Sequence, residues 1–149
     1  MNFNELLKAT IEESKVASIK LKENVFYEGN IRSASLTTNG DNKDVIQIKI
    51  KLMGKEVNGK VITKNLYYDE SYSDTVRKIT MGEVLRLVNN LTDSPITEND
   101  TEEDILSKLI KLRDKTVWVS LKKTPDRNDP SKVFHNYILK VSKPEVVEE

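Results

Sequence analysis

The segment from Asp44 to Met53 alternates between apolar and polar residues more regularly than any other part of the chain. Successive side chains of a β-strand point to opposite faces of a sheet, so alternation with a period of two predicts a strand. One face consists of Ile46, Ile48, Ile50 and Leu52, and the other of Gln47, Lys49 and Lys51. The segment is therefore predicted to be a strand with one core face and one basic face.

Two more strands are predicted, one before and one after this segment. Residues Val25–Leu36 form a long strand, and the interior Gly29 predicts a β-bulge or a sharp coil in a curved sheet. Turn residues at 38–42 end that strand. Asn58–Gly59 is a strong hairpin sequence that leads into a third strand, from Lys60 to Tyr68. These patterns predict three consecutive antiparallel strands.

A helical insert is predicted after the third strand, because the apolar residues then recur with a period closer to 3.6. Thr80 followed by Glu83 forms a capping-box pattern, which predicts a helix from about residue 80 to 91. Residues 73–78 are either an earlier turn of that helix or a separate turn. Thr101 and Asp104 start a second helix. Its apolar side comprises Ile105, Leu106, Leu109, Ile110 and Leu112.

Residues 116–141 are predicted to form the last two strands, Thr116–Lys123 and Val133–Val141, around a loop at 124–130. In the first of these strands the core face consists of Val117, Val119 and Leu121. Trp118, the only tryptophan, therefore falls on the polar face, next to Ser120 and Lys122. An aromatic ring among polar and basic side chains is typical of a surface that stacks bases and binds phosphates.

The N-terminal residues show a different pattern, an apolar stripe at helical spacing made by Phe3, Leu6, Leu7 and Ile11. We expect a helix within an N-terminal extension at 1–22, which packs outside the main domain or mediates self-association. A frayed terminus is the alternative. The main domain is predicted at 23–142 and is followed by a short acidic tail at 143–149.

The composition excludes several kinds of functional site. The chain has no cysteine and one histidine, His135, so it holds no disulfide, thiolate zinc site, cysteine nucleophile or histidine-based acid–base pair. It also lacks a phosphate-binding glycine motif. We therefore expect no enzymatic activity, no cofactor and no metal. No apolar run approaches the roughly 20 residues that span a bilayer, and no signal-peptide pattern is present, so we expect a cytoplasmic protein without membrane contacts.

The order of elements is that of the five-stranded Greek-key oligonucleotide/oligosaccharide-binding (OB) barrel. The predicted fold is thus mainly β with a helical insert (α+β), an OB-like barrel with helices between strands three and four and an extra N-terminal helix. Segments Phe26–Ile31, Val84–Leu91 and Leu112–Val119 resemble those of the small OB-type single-stranded DNA-binding proteins encoded by phages and prophages. The resemblance implies binding of single-stranded DNA in phage replication or recombination, without sequence preference and without catalysis.

Single-stranded DNA is held by cations that bind phosphates and by aromatic rings that stack on bases. The predicted cations on the outward faces of the second strand and its neighbours are Lys49, Lys51, Lys60 and Lys64. The last two strands and their loop are predicted to contribute Trp118, Lys122, Lys123, Arg127, Lys132 and Phe134. Tyr67 is a further stacking candidate, because adjacent Tyr67 and Tyr68 point to opposite faces. Tyr27 and Tyr137 are predicted to belong to the core.

These residues are predicted to form one groove, in which Trp118, Lys122, Lys123 and Arg127 border the same surface as Lys49 and Lys51. If Trp118 instead lies under a helix, the stacking role passes to Tyr67 or Phe134. With 24 basic and 24 acidic residues the net charge is zero, so any attraction for DNA must come from uneven charge distribution. The alternative function is a protein-interaction or phage assembly module on a small β-barrel. Expected partners besides DNA are further copies of the chain and replication or recombination proteins.

Overall fold

The computed structural model describes residues 2–144, which form three helices and five strands. In chain order they are α1 (Phe3–Ala17), β1 (Phe26–Thr38), β2 (Asp44–Leu52), β3 (Val61–Tyr67), α2 (Asp74–Leu91), α3 (Glu102–Ile110), β4 (Thr116–Pro125) and β5 (Val133–Lys140). This α+β arrangement, with a helical insert between the third and fourth strands, confirms the predicted fold class at that level. Most of the acidic tail predicted at 143–149 lies outside the described residues.

The five strands form one antiparallel sheet with the order β3-β2-β1-β4-β5. The long central strand β1 pairs with β4 along its first residues and with β2 along the rest of its length. Its first residues pair with β4, from Phe26 opposite Ser120 to Asn30 opposite Thr116. The part from Gly29 onwards pairs with β2. The central strand therefore joins a β1–β2–β3 region to a β4–β5 hairpin.

Strand β1 is irregular in two ways near residues 29–32, where the segment paired with β4 gives way to the segment paired only with β2. A Cβ atom at Gly29 would lie 2.5 Å from Cγ2 of Ile50, so only glycine leaves room for that buried side chain. The register with β2 shifts between Ile31 and Ser33, where Arg32 is the extra residue of a bulge. The bulge predicted at Gly29 thus lies three residues later. A bulge increases the local twist, which brings the two ends of the sheet towards each other.

The two edge strands, β3 and β5, both run parallel to β1, since each is separated from it by one antiparallel neighbour. Among the described residues they share no main-chain pairing, so the sheet is open rather than a closed barrel. The side chain of Lys64 in β3 nevertheless reaches β5, and its Nζ donates a hydrogen bond to the carbonyl oxygen of Tyr137 at 2.5 Å. The sheet is therefore curved enough for one side chain to span the gap.

The core fills the concave side of the sheet and is closed by the helices. Its sheet residues include Ile31, Ile48, Ile50, Leu52, Val117, Val119 and Leu139, all with no measurable exposure. Helix α2 contributes Val84, Leu87 and Val88, and α3 contributes Leu109. Tyr27 and Tyr137 are half-buried against this core, as predicted. Leu21, within the predicted N-terminal extension, also belongs to it.

The helix starts show which capping patterns are genuine. Thr101 and Asp104 form the predicted capping box of α3. The predicted capping box at Thr80 is wrong, because Ser73 caps one continuous helix. Of the two alternatives for residues 73–78, an earlier turn of the same helix is confirmed. Thr80 is instead buried, and its hydroxyl donates to the carbonyl oxygen of Tyr67 at 2.8 Å. A threonine in mid-helix with a glutamate three residues later is therefore not by itself a helix start.

Helix α1 begins with a capping box between Asn2 and Glu5 and presents its apolar stripe to solvent. Phe3 is 75% exposed, and Leu6, Leu7 and Ile11 are exposed as well. Near the end of the helix, Val16 lines a shallow groove together with Gly59 and Val61. Of the helices in residues 2–144, none has the length and apolar character needed to cross a membrane.

Candidate nucleic-acid interface

The convex side of β1, β2 and β3, here called the outer face, is polar and contains two of the predicted lysines. Lys49 is exposed between Ser33 and Thr63, and half-buried Lys51 lies between Asn30 and Val61. Both point away from the core, as the alternation in β2 predicts. Further residues of the face are Ser35, Gln47, Asn65, Thr37, Tyr67 and the buried Val45.

Lys64 does not lie on this face, and its predicted outward position is wrong. It is paired with buried Ile48 and shares its side of β3 with Ile62 and Leu66, which are also buried. Burial lowers the pKa of Lys64, while the negative charge of nearby Glu83 acts in the opposite direction. The alternation of Ile62, Lys64 and Leu66 in the sequence was the signal that would have placed this lysine inside.

Lys60 and Lys123 also lie away from the outer face. Lys60 precedes β3, and Lys123 is paired with His135 on the inner side of the β4–β5 hairpin. One cleft at the end of the sheet is lined by Lys60, Lys123 and His135. The predicted single groove is therefore divided, because adjacent residues of β4, Lys122 and Lys123, point to opposite sides of the hairpin.

The outward side of the β4–β5 hairpin carries a row of aromatic, apolar and basic side chains. We call it the outward strip and define it by Trp118, Lys122, Phe134, Ile138 and Lys140. Residues that are paired across two strands point to the same side of the sheet. The register pairs Trp118 with Lys140, Lys122 with Asn136 and Thr124 with Phe134, so these residues share one side. Phe134 is 58% exposed and Ile138 is 40% exposed. The strip thus offers flat apolar surface beside cations.

Trp118 is half-buried in the outward strip, between Glu28 of β1 and Lys140 of β5. The Nζ atom of Lys143 lies 5.5 Å from the centre of its ring, a cation–π contact. Half-buried Phe26 is the next outward residue along β1, opposite Ser120. Sequence reasoning missed Lys140 and Lys143, since their place beside Trp118 depends on the hairpin register.

The distal part of the hairpin is exposed on both sides, from Lys122 to Pro125 and from Val133 to Asn136. In its loop, the carboxylate of Asp126 accepts a hydrogen bond from the main chain of Asn128, and that of Asp129 accepts from Ser131. The ion pairs found within residues 2–144 do not involve Arg127 or Lys132. Both predicted loop cations are exposed, while the loop carboxylates accept main-chain hydrogen bonds within the turn.

The outer face and the outward strip meet across β1. Asn30 is paired with Lys51 on one side and with Thr116 on the other, and Trp118 is the next outward residue of β4. Strand β1 therefore lies between Lys51 and Trp118, and a groove shared by these two side chains stays a prediction. Lys122 lies on the same side of β4, four residues after Trp118.

A second aromatic group lies at the far end of the outer face. Tyr67 is 40% exposed, and its ring centre is 5.3 Å from that of Tyr72, over which Lys43 makes a cation–π contact at 4.9 Å. Tyr68 points the other way, as predicted, and donates a hydrogen bond to Glu102. Burial and this hydrogen bond raise the pKa of Tyr68 to about 12, so its phenol stays neutral.

Comparisons with known proteins return no match, either to a protein-family model or to a curated protein sequence. Within residues 2–144, no group of three or more His, Asp or Glu side chains is placed to hold a metal ion. Rings that are exposed beside cations can stack on bases while the ammonium groups bind phosphates.

Proposed function

We propose that this chain is a non-catalytic single-stranded DNA-binding protein with an OB-type fold, and that the outward strip is its main contact with DNA. The observation that carries the proposal is the placement of Trp118, Phe134 and Ile138 on one side of the hairpin with Lys122 and Lys140. The resemblance of the sequence to phage and prophage proteins suggests that the process served is phage replication or recombination.

The strand order supports the OB part of the proposal. An OB barrel is a five-stranded, partly open Greek-key barrel. Here β3 and β5 are parallel edge strands on a strongly curved sheet, and Lys64 spans the gap between them. The helices come between β3 and β4, as in the predicted order of elements. The remaining step to a closed barrel is main-chain pairing between β3 and β5.

Binding is proposed to combine two kinds of contact. Bases stack on Trp118 and Phe134, and each stacked base contributes about 1–3 kcal/mol. Phosphates are bound by Lys122, Lys140 and Lys143, whose counterions are released, so the affinity falls as the salt concentration rises. The zero net charge of the chain is compatible with this, because the cations are concentrated locally on the hairpin.

The direct test is a titration of the full chain with oligo-dT while the fluorescence of Trp118 is recorded. Trp118 is the only tryptophan, so the signal comes from the strip itself. We expect quenching that saturates and that weakens with added salt. Absence of both quenching and a salt-sensitive mobility shift at micromolar protein would overturn the proposal. The double variant Lys8→Gln/Lys78→Gln, which removes two exposed helical cations, serves as the matched charge control.

A second candidate function is self-association through α1, and the exposed apolar stripe of that helix favours it. Exposed stripes of this kind are typical of helices that bind another protein surface. We expect Leu6→Gln/Leu7→Gln to reduce the molar mass measured by light scattering if the chain is an oligomer. An unchanged mass would exclude assembly through this stripe. Substitution is preferable to deletion of 1–22, since the deletion removes Leu21 from the core.

A further inference from the structure

A cleft of about 430 Å³ lies on the inner side of the β4–β5 hairpin, where the chain between α1 and β1 crosses the end of the sheet. We call it the basic cleft. Its lining residues are Ser18, Ile19, Lys20, Leu21, Lys60, Leu121, Lys123, His135 and Tyr137. Its volume falls within the range of about 300–1,000 Å³ that is usual for small-molecule sites.

The rim of the basic cleft is cationic. Its cations, Lys20, Lys60 and Lys123, come from three different segments of the chain, and the imidazole of His135 is the direct neighbour of Lys123 across β4 and β5. None of the described lining residues is a carboxylate. Glu23 lies nearby, but its Oε1 accepts a hydrogen bond from the main-chain N–H of Lys123 at 3.0 Å. Such a rim suits a ligand with more than one negative charge.

The floor of the cleft is apolar. Leu21 and Leu121 are buried, while Ile19 and Tyr137 are half-buried and pack against the core. Burial raises the pKa of Tyr137, so its ring stays uncharged near neutral pH. An apolar floor below a cationic rim fits a ligand that joins a flat, weakly polar group to an anionic group.

We propose that the basic cleft binds a nucleotide, with the terminal phosphate on the cationic rim and the base over the apolar floor. A phosphate monoester carries about two negative charges near neutral pH, which distinguishes it from the single charge of a phosphodiester. The nucleotide is either free or the phosphorylated end of a strand, since both present the same chemistry. The inference does not rest on DNA binding by the outward strip, which lies on the opposite side of the hairpin.

His135 allows a test on the unmodified chain, because it is the only histidine and its ring protons give a single assignable set of NMR signals. We expect dTMP to shift these signals in a saturable way, and at lower concentration than inorganic phosphate does. Thymidine, which lacks the phosphate, is expected to leave them in place. Equal affinity for dTMP and inorganic phosphate would show that the cleft binds phosphate but not a nucleotide. If neither dTMP nor inorganic phosphate shifts the signals, the cleft is not a phosphate site and the proposal is wrong.

The two sources of the nucleotide are separated with (dT)4 carrying or lacking a 5′-phosphate. A strand end in the cleft shifts the His135 signals only with the phosphorylated oligomer. A free nucleotide as the ligand leaves them unmoved by both oligomers but still moved by dTMP. Binding of oligo-dT that quenches Trp118 without moving the His135 signals supports the proposed function alone, so the two proposals can fail separately.

A matched pair of variants completes the test. Lys123→Gln should weaken dTMP binding by about ten- to a hundredfold, the loss expected for one hydrogen bond to a charged group. Lys122→Gln, one residue earlier on the opposite side of β4, should leave dTMP affinity as it is in the unmodified chain. Both side chains are exposed, so both variants should fold. Equal losses in the two variants would show that only the general charge of the hairpin matters and would overturn the proposal.

Discussion

The two sides of the β4–β5 hairpin both carry basic and aromatic side chains, but one side is an open surface and the other borders a cleft. The outward strip is an open surface on which Phe134 and Lys122 face solvent. On the inner side, Lys123 and His135 stand at the rim of a cleft with buried Leu121 at its floor. An open row suits a long polymer that is bound at many points, whereas a cleft suits one unit with one charged group. Alternation along β4 thus separates the two surfaces that we propose bind a polymer and a nucleotide.

The largest expected difference between the two sides concerns stability. Leu121→Ala removes a buried side chain from the inner side and should lower the free energy of unfolding by about 2–5 kcal/mol. Phe134→Ala on the outward side should change it by about 0.5 kcal/mol or less, because the ring is exposed. Urea denaturation followed by circular dichroism measures both. A comparable loss in Phe134→Ala would mean that the outward strip is covered in solution.

The next difference concerns DNA affinity. Trp118→Ala should weaken binding of oligo-dT by about 1–3 kcal/mol, the contribution of one stacked base. Fluorescence anisotropy of a labelled oligomer is the measurement, since the variant lacks the tryptophan. Tyr67→Ala sharpens the comparison, because this ring lies at the far end of the outer face. A loss in Tyr67→Ala as large as that in Trp118→Ala would move the binding surface from the hairpin to the outer face.

A smaller effect should appear in the salt dependence of DNA binding. Lys122→Gln removes one proposed phosphate contact, so the slope of log K against log salt concentration should become less steep by about 0.7. Lys123→Gln, on the inner side, should keep the slope of the unmodified chain. Titrations over a range of salt concentrations give both slopes. The assignment of the outward strip fails if the two variants change the slope equally.

The smallest expected effect concerns Lys64, which connects β3 to the inner side of β5. Burial lowers its pKa below the ordinary value of 10.5, so in the pH range between these two values the unfolded chain binds more protons than the folded one. The free energy of unfolding of the unmodified chain should therefore rise relative to that of Lys64→Met as the pH rises towards 10.5. Urea denaturation at a series of pH values measures the difference. Lys49→Met, on the exposed side of β2, serves as the control for the loss of one lysine.

The parts of the fold that depend on local pattern were predictable from the sequence. Alternation in β2 placed Lys49 and Lys51 on the outside, and the Thr101–Asp104 pair marked the start of α3. The same rule failed for Thr80, because a capping-box pattern occurs by chance within a helix whose true cap is Ser73. Local pattern identifies an element more reliably than it identifies the element's end.

The candidate site was predictable only in part, because it depends on contacts between distant segments. The predicted list joined Lys60, Lys64 and Lys123 to the outward residues, whereas the fold separates them from the outer face and the outward strip. Lys140 and Lys143 were missed, since only the register of β5 against β4 brings Lys140 beside Trp118. The basic cleft was also unpredictable, as its lining comes from segments before β1, before β3 and in both strands of the hairpin.

The division of β1 between two partners has a consequence for the order in which the chain folds. The partner of residues 29–38 is β2, which follows within a few residues, so this pairing closes a short loop. The partner of Phe26–Asn30 is β4, which is about 90 residues away in the chain. During synthesis, therefore, the first residues of β1 stay unpaired until the helical insert and Thr116–Ser120 have left the ribosome. The hairpin that carries both proposed binding surfaces is therefore the last part of the five-stranded sheet to be synthesised.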